Sequence, residues 1–345
     1  MPLVGEAREA GPRAADGRAD GRLRLVRVPG ADGGGDFAAA VEAGLGRRPR
    51  SLPCRFFYDD AGSLLFEEIC ALPEYYPTRT EQGILARSAG EIARAVGDGA
   101  ALAELGSGSS AKTRLLIEAF LERQETLHYA PVDISVGFLE ASAQALLEAY
   151  PRLRVTAIGG EYRAALPHLP PHGGPRLVLF LGSNVGNLEE PEAVSLLGAL
   201  ASALSPADRL LVGFDRLKEP ALIERAYADA SGVTARFNRN LLARVNRELG
   251  GELDLDAFEH AAPFVAGRSR VEMYLVSRRR QEAWVEALGR SFAFEEGERI
   301  HTESCHKYAL ADVERISRAA GLGVTGLWSD PLEWFSVALL APERR

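Results

Sequence analysis

Cysteine is scarce: Cys54, Cys70 and Cys305 are the three in a chain of 345 residues, too few for a disulfide framework. No basic segment followed by an apolar one opens the chain as a secretory signal does, so a reducing cytoplasm is the expected compartment. Long apolar runs are also missing. The longest, such as Leu177 to Leu181 and Leu210 to Phe214, fall far short of the ~20 residues that cross a bilayer, and no membrane span is expected. Nor is there a basic excess. Forty Lys and Arg stand against 48 Asp and Glu, a formal charge of −8, which leaves nothing to neutralise a phosphate backbone and argues against nucleic acid as a partner. Metal-ligand spacing is lacking too: His301, Cys305 and His306 crowd together without a distant fourth ligand, so no metal is expected.

What is present is a globular composition, 46% hydrophobic and 26% charged, in a chain long enough for about two domains. A monomer acting on a small molecule is the expectation. Residues 1 to 35 are the exception: Gly, Ala, Arg and Asp with no aromatic before Phe37, a composition that predicts a flexible tail. From Ala101 onward short β-type runs alternate with amphipathic helical stretches, which predicts a parallel sheet covered by helices. The runs are Ala101 to Leu105, His128 to Asp133, Arg154 to Ile158, Leu177 to Leu181 and Leu210 to Asp215. Helices are expected near Ala111 to Glu122 and, behind Ser135 as N-cap, over Val136 to Tyr150. Residues 219 to 249 then read as two helices and Val271 to Ser277 as a separate strand, which interrupts the alternation. A helix from Ala309 to Ala320 resumes it. The runs Gly323 to Trp328 and Trp334 to Leu340 close the chain, joined by Ser329-Asp330-Pro331. So short a connection predicts an antiparallel pair.

The sharpest local motif is Glu104-Leu105-Gly106-Ser107-Gly108-Ser109-Ser110 at the end of the first run. Its glycines allow backbone to approach a ligand, and the next helix offers unpaired N–H groups. Asp133 ends the second run, where a carboxylate accepts hydrogen bonds from ribose hydroxyls. Together they predict an adenosine site; the structural alternative is a tight turn with Asp133 associated with the following helix. The third run ends at Glu161-Tyr162, an acid and a ring suited to an adenine. The fourth enters Gly182-Ser183-Asn184-Val185-Gly186-Asn187, a polar glycine-rich loop at the ligand-binding edge of such sheets. Upstream, Tyr58-Asp59-Asp60-Ala61-Gly62-Ser63 and Leu72-Pro73-Glu74-Tyr75-Tyr76-Pro77-Thr78-Arg79 set aromatics beside charges, a pattern found in cores as well as in pockets. Thr302 to Tyr308 is polar throughout and reads as a loop, functional or solvated.

From about Phe56 to Leu340 these stretches, with Phe180-Leu181-Gly182-Ser183, Gly186-Asn187, Phe237-Asn238-Arg239-Asn240 and Thr302-Glu303, resemble the histidine Nα-methyltransferases of ergothioneine biosynthesis. That family makes the trimethylammonium betaine of L-histidine (hercynine) with S-adenosylmethionine. The resemblance implies a doubly wound, Rossmann-like methyltransferase sheet with an inserted α+β substrate domain. Residues 36–80 and 217–306 would form the substrate domain, and residues 81–216 and 307–345 the cofactor domain. It implies a cofactor site at Gly106, Lys112, Asp133, Glu161 and Tyr162. A substrate carboxylate would meet Tyr75, Asn187 and Tyr227, and Tyr58 would face the α-amine as the catalytic phenol. Phe66, Gly182 and Met273 would shape the pocket, with Glu303 at the imidazole. Cys305 stands where the family carries Ser, and Glu161-Tyr162 where it usually has Asp-Phe. Two other readings stay open: a same-fold N-methyltransferase for another free, aromatic amino acid, and a non-catalytic sensor of an adenosyl ligand. A nicotinamide dehydrogenase would account for Gly106, Gly108 and Asp133 but not for Glu303 or the closing hairpin.

Overall fold

The computed structural model describes residues 21–28 and 34–343. Eight strands form one sheet, numbered here in chain order: β1 Leu23–Arg27, β2 Ala101–Leu105, β3 Leu127–Asp133, β4 Leu153–Gly159, β5 Arg176–Phe180, β6 Arg209–Asp215, β7 Leu322–Ser329 and β8 Phe335–Pro342. Their spatial order is β1-β4-β3-β2-β5-β6-β8-β7. Strands β1 to β6 run parallel, while β8 lies antiparallel between β6 and β7. The expected closing hairpin is therefore present, and the architecture is the doubly wound methyltransferase type.

Burial explains why these strands read as unbroken apolar runs. Every residue of β2 is buried, and β5 and β6 are buried beyond their first residue, as a sheet covered on both faces requires. Helices Tyr76–Val96, Thr113–Leu121 and Val136–Ala149 pack with one face. Helices Glu190–Ala203 and Leu310–Ala319 pack with the other. A third core lies apart from the sheet. It gathers Phe37, Ile69, Tyr227 and Phe237 from helices Gly34–Gly46, Asp60–Ala71, Pro220–Tyr227 and Val233–Leu249, Phe57 from the short helical turn Cys54–Phe57, Tyr75 from just before helix Tyr76–Val96, and Met273 from a smaller sheet. In that sheet Arg270–Ser277 pairs antiparallel with Arg299–His306 and Phe258–Ala261. Helix Tyr76–Val96 starts in this third core at Tyr76 and continues into the main one from Ile84, so the expected domain boundary at residue 80 falls inside a continuous helix.

Two expectations are corrected. Part of the supposed tail is β1, whose residues 23–27 pair in register with Val155 to Gly159 of β4. The Arg22 guanidinium fastens it by donating to the carbonyls of Leu147 and Tyr150 at 3.2 Å, at the carbonyl end of helix Val136–Ala149, where cations are favoured. Residues 1–20 and 29–33 of that segment lie outside the described residues. The second correction is Thr302 to His306, which lies within a strand rather than a loop. Arg299–His306 is sandwiched between Arg270–Ser277 and the short strand Arg50–Ser51. Tertiary pairing overrides its polar composition. Ser135 does occupy the N-cap position of its helix but makes no side-chain cap; its hydroxyl donates to Asp60 Oδ1 at 3.3 Å.

Gly213 in β6 sits against helix Tyr76–Val96, where a Cβ would fall on Glu81 Oε1 and 3.1 Å from the Phe335 ring. Glu81 is fully buried and bonded to Lys112 and to the Gly182 N–H, so its carboxylate has nowhere to yield. Gly213→Ala is expected to cost roughly 1–3 kcal/mol of stability, read as a lower denaturant midpoint at unchanged slope; an unaltered midpoint would contradict this packing.

Candidate active site

The loops leaving the carboxyl ends of β2, β3, β4 and β5 meet on one edge. The first is built around positive-φ glycines, Gly106 at φ 71° and Gly108 at φ 49°, a conformation that strongly favours glycine. Asp133 locks it. One carboxylate oxygen accepts the Gly108 N–H at 2.9 Å and the other the Ser135 N–H at 3.0 Å, so the acid is oriented between the glycine loop and the next helix. Burial pushes its carboxyl above its usual value, against the pull of those two N–H groups. Beneath the loop the buried Glu104 accepts Thr113 Oγ1 at 2.7 Å and the Tyr129 phenol, and burial lifts its pKa to about 7.

Gly106 must lack a side chain for a second reason: a Cβ there would be 2.8 Å from Tyr162 Oη and 2.9 Å from Asn184 Nδ2. Tyr162 is held edge-on to Phe180, ring centroids 5.5 Å apart. Ser107 Oγ is buried with no hydrogen-bond partner, an orphaned hydroxyl in a glycine loop beside a strand-end carboxylate. This donor and acceptor set suits a polar ligand carrying ribose hydroxyls and an adenine ring. Glu161, by contrast, is half-exposed and points to Arg55, 3.2 Å away. Among the expected cofactor residues it therefore lies at the rim.

Across from this edge is a narrow cleft. Its lining includes Tyr58, Phe66, Tyr75, Gly182, Asn187, Tyr227, Met273, Glu303 and Cys305, all nine of the expected substrate and catalytic positions. The sequence stretches they come from explain the assembly. Asp59 caps helix Asp60–Ala71 through the Gly62 N–H at 2.7 Å and also accepts Asn240 Nδ2 at 2.8 Å. This couples the Tyr58 segment to helix Val233–Leu249. Asn238 ties the same helix to the small sheet through the Tyr274 carbonyl at 3.0 Å. A Cβ on Gly186 would lie 2.9 Å from the His306 carbonyl, so only glycine lets the β5 loop reach strand Arg299–His306, where Asn187 Nδ2 donates to Glu303 Oε1 at 3.0 Å.

The aromatic walls interlock. Ring centroids are 5.7 Å apart for Tyr58 and Phe66, 5.8 Å for Tyr58 and Phe237, 6.2 Å for Phe66 and Tyr75, and 6.1 Å for Tyr75 and Tyr227. In so enclosed a site charged forms are disfavoured. Burial, with Glu303 adding to it, drives the Tyr58 phenol well above its ordinary range, and burial does the same to Tyr75 and Tyr227. Burial also lifts Glu303 to about 7, with Lys307 pulling the other way.

Several site residues carried no sequence expectation. Thr234 and Phe237 line the cleft. Glu81, behind the cleft lining, links the β5 loop to the start of helix Thr113–Leu121, accepting the Gly182 N–H at 2.9 Å and holding the Lys112 ammonium. Although burial works against that charge, the Glu81 carboxylate keeps it above its usual pKa. Behind Cys305 lies Lys307, paired with Asp215 at 2.7 Å, both side chains fully enclosed.

Residues 37–342 match the profile of the histidine-specific, S-adenosylmethionine-dependent methyltransferases. The histidine N-alpha-methyltransferase of Mycolicibacterium smegmatis is 44% identical over 299 residues, 87% of this chain and 92% of that protein. The Mycobacterium tuberculosis protein of the same name is 42% identical, over 87% and 93%. Ergothioneine biosynthesis protein 1 of Neurospora crassa is 31% identical over 86% of this chain and 34% of its own length. With the family profile spanning all three cores and the glycine loop, this chain belongs to the histidine-specific, S-adenosylmethionine-dependent methyltransferases.

Proposed function

We propose that the chain methylates the α-nitrogen of free L-histidine three times, giving hercynine. The observation that carries this reading is a cleft in which Glu303, Asn187 and an aromatic lining meet Gly182 and Asn184 of the β5 loop, the loop whose Asn184 also stands against Gly106 of the glycine loop. Residues 36–80 and 217–306 serve mainly the substrate and residues 81–216 and 307–345 mainly the cofactor, with Gly182 and Asn187 reaching from the latter into the substrate cleft. Gly106, Lys112, Asp133 and Tyr162 would hold S-adenosylmethionine, with Glu161 at the rim; the sulfonium supplies an activated methyl group.

The work left to the protein is positional. A neutral amine must be stripped of water and aimed at the methyl carbon, and orientation of this kind is worth on the order of 7–11 kcal/mol. Glu303 accepts the imidazole N–H and fixes one end of the substrate. Tyr75, Asn187 and Tyr227 take the carboxylate at the other. Tyr58 stays a neutral phenol, because its ionisation is so strongly opposed by burial; in the first two transfers its oxygen accepts an N–H of the neutral amine and orients the lone pair, in the third the tertiary amine is held by the aromatic walls alone, and before each transfer the ammonium proton leaves toward water. The faces of Tyr58, Phe66, Tyr75 and Phe237 suit a nitrogen that becomes a permanent cation. Cys305 favours one other reading, a different free amino acid as the better substrate, since a thiol is a weaker partner than a hydroxyl.

The direct test is incubation with S-adenosylmethionine and each of the twenty amino acids. Histidine is expected to gain three methyl groups, all on the α-nitrogen, while a histidine-containing peptide stays unmodified. A product methylated on the imidazole, or preference for another amino acid, would contradict the proposal.

Glu303 gives a second test. Its raised pKa, about 7, means that below this pH it is a neutral carboxyl, a weaker acceptor for the imidazole N–H than the carboxylate it becomes above it. Histidine affinity should therefore strengthen as pH rises toward about 7. In Glu303→Gln the pH dependence should flatten by one proton, with affinity lower by roughly 1–3 kcal/mol at neutral pH. Calorimetric titrations between pH 5.5 and 8 check both; an unchanged slope in the variant would remove Glu303 from the imidazole.

A further inference from the structure

Lys307 follows strand Arg299–His306 and none of its side chain reaches solvent. Its ammonium has three partners: Asp215 Oδ2 at 2.7 Å, Tyr227 Oη at 2.8 Å and Cys305 Sγ at 3.2 Å. An ammonium has three protons, so none remains for a ligand. Tyr227 Oη in turn donates to Cys305 Sγ at 2.9 Å. Tyr227 and Cys305 both line the cleft, whereas Lys307 stands behind them.

We infer that Lys307 is a positioning residue that sets the hydrogen-bonding sense of Tyr227 and thereby the preference of the cleft for a free carboxylate. The inference rests on the proposed amino-acid reading. Tyr227 has one phenolic proton. With Lys307 donating to its oxygen, that proton is turned away from the ammonium, toward Cys305 Sγ or a ligand oxygen in its place. The donated bond also polarises the phenol and makes it a better donor, since hydrogen bonds in a chain strengthen one another. A carboxylate gains from this; a carboxamide, which presents an N–H₂ as well as an oxygen and carries no charge, gains much less.

Removing Lys307 does not strand a buried charge. Asp215 also accepts Tyr76 Oη at 2.8 Å and the Lys218 ammonium, and its N–H donates to Ser183 Oγ at 3.0 Å. Lys307→Met, close in volume, is thus a fair probe, with Lys307→Gln as a second variant that retains one donor.

The experiment compares calorimetric affinities of the full-length protein for L-histidine and L-histidinamide. In Lys307→Met the ratio of histidine to histidinamide affinity should fall about tenfold, chiefly through weaker histidine binding, and in Lys307→Gln by less. In a Tyr227→Phe background, Lys307→Met should leave the ratio where Tyr227→Phe alone puts it, the non-additivity expected when one group acts through another. Equal losses for both ligands, or a ratio that still falls tenfold without the Tyr227 hydroxyl, would overturn the inference while the histidine reading stands. Failure of the unaltered protein to bind histidine would overturn both.

Discussion

The Glu81 carboxylate lies in a place where acids are rarely found, on the apolar face of a long helix pressed against a parallel sheet. There it accepts the N–H of Gly182 and the ammonium of Lys112, and it fills the space that a side chain on Gly213 would take. A charge so enclosed is tolerated only when paired and fully hydrogen-bonded, so the three segments it touches must arrive together. Those segments are the helix that leaves the aromatic core, the glycine loop of β2 and the loop of β5. The placing of the glycine-loop edge beside the β5 loop that lines the cleft goes with satisfying this one group.

Burial then sets the chemistry of the cleft. With water thinned out, every titratable group facing the cleft is pushed toward its neutral form: phenols remain phenols, Cys305 remains a thiol and Glu303 is poised near neutrality. Such a site suits a reaction in which an amine must be neutral when it attacks and cationic when it has reacted. The exception is the buried pair of Lys307 and Asp215, whose mutual attraction keeps the lysine charged. That fixed charge lies behind Tyr227 and Cys305, not among the groups that would meet a ligand.

Much of this was legible in the sequence. Strands β2 to β6 announce themselves because two-sided burial makes them nearly uninterrupted apolar runs, and the short link after Ser329 required an antiparallel close. The nine cleft positions were legible through family resemblance; composition alone left the aromatic stretches as core or pocket. Strand β1 was hidden because Leu23-Arg24-Leu25-Val26-Arg27 is a short run inside a segment rich in glycine, alanine and arginine, and it is the pairing with β4 that makes it a strand. Strand Arg299–His306 was hidden by its composition: His301, Thr302, Glu303, Ser304 and His306 leave it without the apolar alternation of an ordinary strand, and Glu303 and Cys305 are the two of its residues that line the cleft. Glu81 did leave a signal. It stands at the helical spacing shared by Pro77, Ile84, Leu85 and Ser88, all buried, and an acid in such a stripe has a partner to find. Asp215, which closes an otherwise apolar run, is the same kind of sign.

The account turns on one orientation, with the imidazole at Glu303 and the α-nitrogen turned toward the glycine-loop edge. A crystal structure of the protein with L-histidine and S-adenosylhomocysteine measures it directly. The expected result is an imidazole nitrogen within about 3.2 Å of a Glu303 oxygen, a carboxylate on Tyr227 and Asn187, and the α-nitrogen next to Tyr58 and in line with the cofactor sulfur. A histidine bound in reverse, with its carboxylate toward Glu303 or its ring toward the sulfur, would contradict it.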